Sequence, residues 1–405
     1  MLNPIRSNVS MLSGLGLVAL LSLFCIWDRE TLLMESARFP GSIELISGEF
    51  RRHSPEFHQW RIKDRIAKIE LDRDHLELYD DLAVSYDKTG QSKLAIETML
   101  EKDQLQSGLY ETHANLGTFY IHAGELEKGL VQIDKAISIN PDAHFGREIY
   151  QRHLVEYLIG LQDADGKISL PIVKPTDDFS SGLGHRSGYY PTGFAKFVIQ
   201  KKYPKAFNDD GEVDGKQLNL FRAEMQPAIK GIQGMMRFGN FDSPVLLEAF
   251  AHLVMFQKDS ARQLATRAML KASFEVEDEG AKKMYRELAE DTLATQYGNG
   301  DNMKLSAVEA ELKDEIKVGE NWFAEIKKNE MDWIESGADV EAEYERVYFQ
   351  DPVTAKSNRK KRNSLLTLVG FLMLGLAIFG VYVMVSKRGQ SSSETMTSDN
   401  KGRSI

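Results

Sequence analysis

The chain of 405 residues has one cysteine, Cys25, and that cysteine lies inside an uncharged apolar run. Nothing after Asp28 can form a disulfide or a cysteine-type zinc site. Basic charge is also in short supply. A formal net charge of -10 argues against a nucleic-acid partner, which requires a broad basic face. No H-E-x-x-H sequence occurs anywhere, so the commonest helical zinc motif is absent. Long apolar runs are missing from the body and confined to the two ends.

The first of those runs is "MLSGLGLVALLSLFCIW", residues 11–27, preceded by Arg6. It fits the apolar core of a signal peptide or a short N-terminal membrane anchor, so residues 1–27 are assigned to one or the other. No clear A-x-A cleavage site follows it, and Phe24 before Cys25 is a poor lipobox. The second is "SLLTLVGFLMLGLAIFGVYVMV", residues 364–385, 22 residues without a charge. At about 1.5 Å per residue it can cross a hydrocarbon core of about 30 Å. Arg359, Lys360, Lys361 and Arg362 precede it, and Lys387 and Arg388 follow. The polar tail, 386–405, lacks the apolar residues of a packed core and is expected to be disordered. An export signal would place the body outside the cytoplasm. The heavier basic cluster before the second span favours the opposite orientation. Because the N-terminal signal acts first, an extracytoplasmic body is the expectation.

The body repeats itself. "LELYDDLAVSYDKTGQSKLAIETMLEK" from Leu76 aligns with "YETHANLGTFYIHAGELEKGLVQIDKA" from Tyr110 at an offset of 34 residues. Leu82 falls on Leu116, Tyr86 on Tyr120, Gly90 on Gly124, Ala95 on Gly129 and Met99 on Ile133. The small residues allow two helices to approach closely, Gly90 and Gly124 suit a helix end with positive φ, and Pro141 stops the last helix. His113 and His122, lying among Glu111, Glu125 and Glu127, invite a metal-site reading. The repeat instead makes His113 a packing position.

These residues resemble the tetratricopeptide repeat (TPR): an aromatic, Leu-Gly, Tyr, a turn glycine, a small residue, a large apolar residue and a closing proline. Tyr79 and His113 depart from the usual tryptophan, and Lys102 stands where Ala136 stands one repeat later. The wider stretch from Cys25 to Leu293, including "WDRETLLMESARFPGSIELISGEFRRHSPEFHQWRIKDR", "GIQGMMRFGNFDSPVLLEAF" and "LATRAMLKASFEV", resembles a family of exported bacterial TPR proteins. The resemblance implies export, a bacterial cell-envelope location and repeat architecture. It implies no activity.

The expected fold is all-α: a TPR-like α-solenoid over 28–160, an irregular loop or linker over 161–216, a second helical region over 217–350 and a C-terminal transmembrane helix. Residues 42–71 read as two helices broken at Ser54-Pro55, and 142–160 as a capping helix. A short strand is expected at Ile168 to Val173. Ser243-Pro244 opens a helical hairpin, and Lys304 to Glu335 reads as one long amphipathic helix that either packs on the body or extends as a stalk.

Three sharper sites are weak. "DGEVDG", 210–215, is half of a calcium loop, but its closing ligand would be Phe221, which cannot coordinate. "GLGHRSG", 182–188, is neither a nucleophile elbow nor a phosphate loop, although His185 and Ser187 leave a hydrolase-like enzyme with a site in 163–219 as an alternative. "RKKR" at Arg359 is a membrane-interface anchor. No metal, cofactor, catalytic residue or small-molecule substrate is assigned.

The inner face of the repeats is the better candidate. The first copy places Glu77, Asp80, Val84, Asp87 and Lys88 there, and the second Glu111, Ala114, Thr118, Ile121 and His122. The capping helix adds Phe145, Glu148, Arg152 and Val155. The expected function is a membrane-tethered scaffold that binds a protein or peptide in this groove without catalysis. Acidic Glu77, Asp80, Asp87 and Glu111 favour a neutral or basic segment. A membrane-shaping structural protein is a further alternative.

Overall fold

Two Ser-Pro pairs start helices. Proline at the first helical position needs no backbone donor, and the serine before it offers an oxygen to the open amides. Ser54 Oγ accepts from the Phe57 amide at 3.2 Å, and Ser243 Oγ from Leu246 at 3.5 Å. The computed structural model describes residues 27–36, 38–174, 191–207, 213, 216–257, 261–293 and 304–349. Over these the chain is all-helical, with 15 α-helices and no strand. One isolated bridge joins Phe207 and Val213.

The helices run in chain order as α1 (Arg29–Ser36), α2 (Ser42–Ser47), α3 (Pro55–Leu71), α4 (Glu77–Lys88), α5 (Ser92–Leu105), α6 (Tyr110–His122) and α7 (Leu126–Ile139). A 3-10 turn at Ala143–Gly146 leads into α8 (Arg147–Ile159). Then come α9 (Gly193–Lys202), α10 (Leu218–Phe238), α11 (Pro244–Met255), α12 (Arg262–Glu275), α13 (Glu279–Leu293), α14 (Leu305–Ser336) and α15 (Val340–Tyr348).

The 34-residue offset is visible in the backbone. Helices α4 and α6 end at that separation, and α5 and α7 both start and end at it. Gly90 and Gly124 close the first helix of each hairpin with φ of 77° and 80°, a conformation glycine adopts without cost. The register also reaches one helix further back. Asp72, Gln106 and Asn140, which cap α3, α5 and α7, have φ of -146°, -147° and -143°. Helix α3 is therefore in step with the two hairpins.

Within the second hairpin the helices touch backbone to backbone. A Cβ on Gly129 would lie 2.6 Å from Ile121 Cγ1 and 2.9 Å from the Gly117 carbonyl. The first hairpin closes around Ala83 and Ala95, both fully buried.

The expected linker and strand need correction. Residues 161–216 contain a helix, α9, whose Phe194, Ala195 and Ile199 are buried. Residues 168–173 form irregular backbone instead of a strand, because Glu248 takes the amides of Ile172 and Val173, at 2.8 Å each, that a sheet would use. The expected division between 28–160 and 217–350 is also absent. One apolar core holds Leu45, Ile121 and Leu154 together with Met235, Leu247 and Leu312. Helix α14 packs back on α2, where a Cβ on Gly319 would come within 2.4 Å of the Ser47 carbonyl, so α14 is no stalk. One unit runs through Val340 and a second begins at Glu341. In the second, the rings of Tyr344 and Tyr348 lie 4.8 Å apart.

Among the described residues no helix is long and apolar enough to cross a membrane. The segments 11–26, 364–385 and 386–405 lie outside the described residues.

Candidate functional site

The inner face of the two hairpins holds the chain's own N-terminal segment. Asn115 on α6 grips the Trp27 backbone from both sides: its Oδ1 accepts the Trp27 amide at 2.8 Å and its Nδ2 donates to the Trp27 carbonyl at 2.9 Å. The indole stands edge-on to Tyr110 at 5.6 Å and packs against a cluster that includes Ala114, Ala136 and Ala143. Asp28 then accepts from Arg61 at 2.9 Å and from the amide and hydroxyl of Thr31 at 2.8 Å each. The Arg29 amide donates to Asp81.

This occupancy corrects the expectation of an open, acidic groove. Nine of its fourteen assigned residues, Asp80, Val84, Asp87, Ala114, Thr118, Ile121, His122, Glu148 and Val155, are buried. Asp80 is paired with Lys102 at 2.5 Å inside the first hairpin. Burial pushes its carboxyl up to about 7 even though Lys102 opposes the rise. Glu148 accepts the Tyr110 hydroxyl, and Thr118 accepts from Gln151 at 3.2 Å. Arg152 is half-buried and bridges Asp134 and Glu156, at 2.6 and 2.8 Å. Glu111 is half-buried and Glu77 exposed. Val155 is buried in the core, and the side chain of Phe145 lies outside the described residues. Sequence alignment assigned these residues to one face. It carried no information on what covers that face.

Val84, Asp87, Lys88 and His122 do meet at a cavity. A cleft of about 610 Å³ opens where α4 ends, between the loop 48–54, the turn 238–241 and α14, with α1 forming one wall. Lys88 Nζ donates to the carbonyls of Phe238 and Gly239 at 2.7 and 2.8 Å, and burial lowers its pKa. Arg52 is held among rings: its guanidinium lies 3.9 Å from the Phe323 centroid and 4.6 Å from that of Phe241. Arg237 donates to the Met34 carbonyl at 2.7 Å and lies over Phe238. The sequence reading passed over Arg52, His53, Arg237, Phe241 and Phe323. The signal was present in "EFRRH" and "MRFGNF", two short stretches that each set arginine beside phenylalanine.

The histidines around the cleft are set by neighbouring carboxylates or by burial. His53 lies between Glu330, 2.5 Å from Nδ1, and Glu30, 3.1 Å from Nε2. Burial opposes its charge, but the two carboxylates outweigh burial and raise it to about 9. It is an imidazolium at neutral pH, a structural cation and a poor base. Burial holds His58 well below its ordinary value. His122 Nδ1 lies 2.7 Å from Asp87 Oδ1, and Ser92 Oγ donates to the same oxygen at 3.3 Å. Aspartate is thus the middle member. A hydrolytic triad needs histidine there, to take the proton from serine.

A second buried cluster lies on α11. Glu248 is fully buried and accepts from Ile172, Val173 and, at 2.7 Å, the Tyr285 hydroxyl. Burial carries it up to about 7 against those donors. One turn later, burial lowers His252 to about 3, and the Phe194 amide approaches its Nδ1 at 3.4 Å. These groups fix the backbone on either side of 175–190. His185 and Ser187 lie outside the described residues, as do Asp210, Glu212 and Asp214 of the calcium-like loop. Among the described residues no group of three His, Cys, Asp or Glu side chains is placed to hold a metal ion.

No protein-family model matches the chain, and no curated protein is significantly similar to it.

Proposed function

We propose that the protein is a membrane-tethered helical-repeat scaffold of the TPR type that binds a segment of another protein without catalysing a reaction. The observation that carries this reading is the 610 Å³ cleft at the hairpin-turn end of the first repeat, where Phe238, Phe241 and Phe323 meet cationic side chains. Concave sites of this size, mostly apolar with a few placed polar groups, suit a bound side chain or short segment. The repeat register from α3 to α7 supports the solenoid assignment. The 22 uncharged residues at 364–385 support the tether, and the family resemblance supports an extracytoplasmic body.

The test is site-specific photocrosslinking in membranes. A crosslinker at Asn240, in the cleft wall, is expected to capture a defined partner. The same group at Lys128, exposed on α7, is expected to capture none, and Phe241→Ala with Phe323→Ala abolishes the Asn240 product. Equal capture from both positions would sink the assignment. Deleting 364–385 is expected to release the protein from sedimented membranes, and retention would remove the tether from the proposal.

A further inference from the structure

We infer that the inner face of the two hairpins is a peptide-binding site that reads a Trp-Asp segment, and that residues 27–36 of this chain are its exchangeable occupant. The inference stands apart from the cleft and does not need the cleft to bind a partner.

The backbone of the segment is gripped at the repeat period. Asp81 and Asn115 are 34 residues apart and occupy the same position in successive hairpins. Asn115 takes both the amide and the carbonyl of Trp27, at 2.8 and 2.9 Å, and Asp81 Oδ1 accepts the Arg29 amide at 3.3 Å. Two equivalent helix positions therefore hold backbone groups two residues apart along the segment. Asn115 is also oriented in advance. Its Nδ2 donates to Asp80 Oδ1 at 3.2 Å, and Asp80 is paired with Lys102. That contact fixes which end of the amide donates and which accepts. Contacts of this kind recognise peptide backbone and leave sequence to the side chains.

The side chains supply the selectivity. The second hairpin has Ala114 and Ala136 where the first has the Asp80–Lys102 pair, and the indole of Trp27 packs in the space they leave. Tyr110 meets it edge-on, a favoured arrangement for two rings. The following residue has to be acidic. Asp28 is buried and lies 2.9 Å from the guanidinium of Arg61, which is buried as well. A neutral residue there would deprive a buried cation of its carboxylate, which is costly. Asp28 also accepts from the Thr31 amide and hydroxyl at 2.8 Å each, so it opens helix α1. The recognised pattern is Trp-Asp followed by threonine three residues later.

The segment is held by placed contacts more than by the core. Trp27 is half-buried, and neither it nor Met34 belongs to the large apolar core. Its other fastenings are polar: Glu30 with His53 at 3.1 Å, and the Met34 carbonyl with Arg237 at 2.7 Å. Such contacts can be remade by an equivalent segment. A tethered occupant has a local concentration on the order of millimolar, so a free peptide competes poorly until the tethered copy is weakened.

The experiment uses the full chain in detergent or nanodiscs and a fluorescein-labelled peptide of residues 27–36, acetylated so that the Trp27 amide is kept. Two forms of the chain free the site. Trp27→Ala weakens the tethered copy and leaves Asp28 on Arg61. A protease sequence inserted after Ala37 lets the segment be cut from the body, and circular dichroism confirms that both forms fold. Fluorescence anisotropy is expected to show the peptide binding each form at least about tenfold tighter than the uncut wild type. Changes confined to the peptide then test the reading without touching the protein. Trp27→Ala, Asp28→Asn and N-methylation of the Trp27 amide are each expected to weaken binding at least about tenfold. Tighter binding by either form, with that dependence, supports the inference. Failure of both forms to gain binding overturns it and makes the segment a fixed part of the fold, and so does binding indifferent to the tryptophan and the aspartate. Capture at Asn240 reports on the cleft alone, so the two readings fail separately.

Discussion

The two repeat hairpins share a backbone but not an interior. In α4–α5 the inner position is an ion pair, Asp80 with Lys102, both buried. The corresponding residues in α6–α7 are Ala114 and Ala136, and the indole of Trp27 packs against them. Asp81 in the first hairpin bonds Arg65 at 2.8 Å, whereas its counterpart Asn115 holds the Trp27 backbone. Burial also runs differently around the two. Arg61 and Arg65 are almost wholly buried between α3 and α4, each against an aspartate. Turns and small residues at the helix crossing thus set the repeat geometry, and the inner positions can be ionic or apolar without moving the backbone. The ionic hairpin depends on protonation and on complete partner sets, while the apolar one depends on shape.

The sharpest way to break that contrast is at the ion pair itself. Lys102→Ala leaves Asp80 buried without its cation and is expected to destabilise the protein by about 3–5 kcal/mol, measured by urea unfolding. Part of this loss is offset because Asp80, already raised to about 7, takes up a proton. Asp80→Ala with Lys102→Met gives the first hairpin the apolar character of the second and should recover most of the loss. A double variant no more stable than Lys102→Ala would show that the pair does more than fill the position.

The same contrast explains what could be read from the sequence. Helix positions, the Ser-Pro starts at Ser54 and Ser243 and the repeat from Leu76 follow from local chemistry, and the structure bears out these elements. Packing of His113 could be anticipated too, since a repeat position fixes its surroundings; it is buried, with Gln132 at 2.8 Å. The occupant of the inner face could not. Trp27 and Asn115 are 88 residues apart, and neither a periodicity nor a spacing links them. The cleft was hidden for the same reason, since Arg52, Lys88, Arg237 and Phe323 come from four separate segments. The linker expectation failed at α9 because low regularity around it masked a short apolar run, Phe194 to Ile199, that finds its partner only in the tertiary core.

The ionic side also predicts a pH response. His53 is raised from 6.5 to about 9 by Glu30 and Glu330 acting against burial. A raised folded-state value means that the stabilisation is complete below pH 6.5 and is lost as pH climbs to about 9. The change is worth roughly 3 kcal/mol. Melting temperature measured from pH 7 upward should fall across this window, and His53→Gln should flatten the fall while lowering stability at neutral pH. An unchanged slope in the variant would place the alkaline sensitivity elsewhere.

The apolar hairpin is broken by volume instead. Gly129→Ala puts a methyl 2.6 Å from Ile121 Cγ1 and 2.9 Å from the Gly117 carbonyl. One neighbour is a side chain with some freedom and the other is backbone, so the helices must separate slightly. Alanine ordinarily favours a helix over glycine by about 1 kcal/mol, whereas overpacking costs about 1–3 kcal/mol. The contact with backbone decides the sign, and a net loss of about 1–2 kcal/mol in urea unfolding is expected. In the first hairpin the reverse change, Ala95→Gly, removes a methyl and a helix preference together and should cost about 1 kcal/mol or slightly more. Losses in both directions would mean that each crossing is fitted to its own residue. A stabilised Gly129→Ala would mean that the second hairpin has room to spare, and that close approach is not what holds α6 against α7.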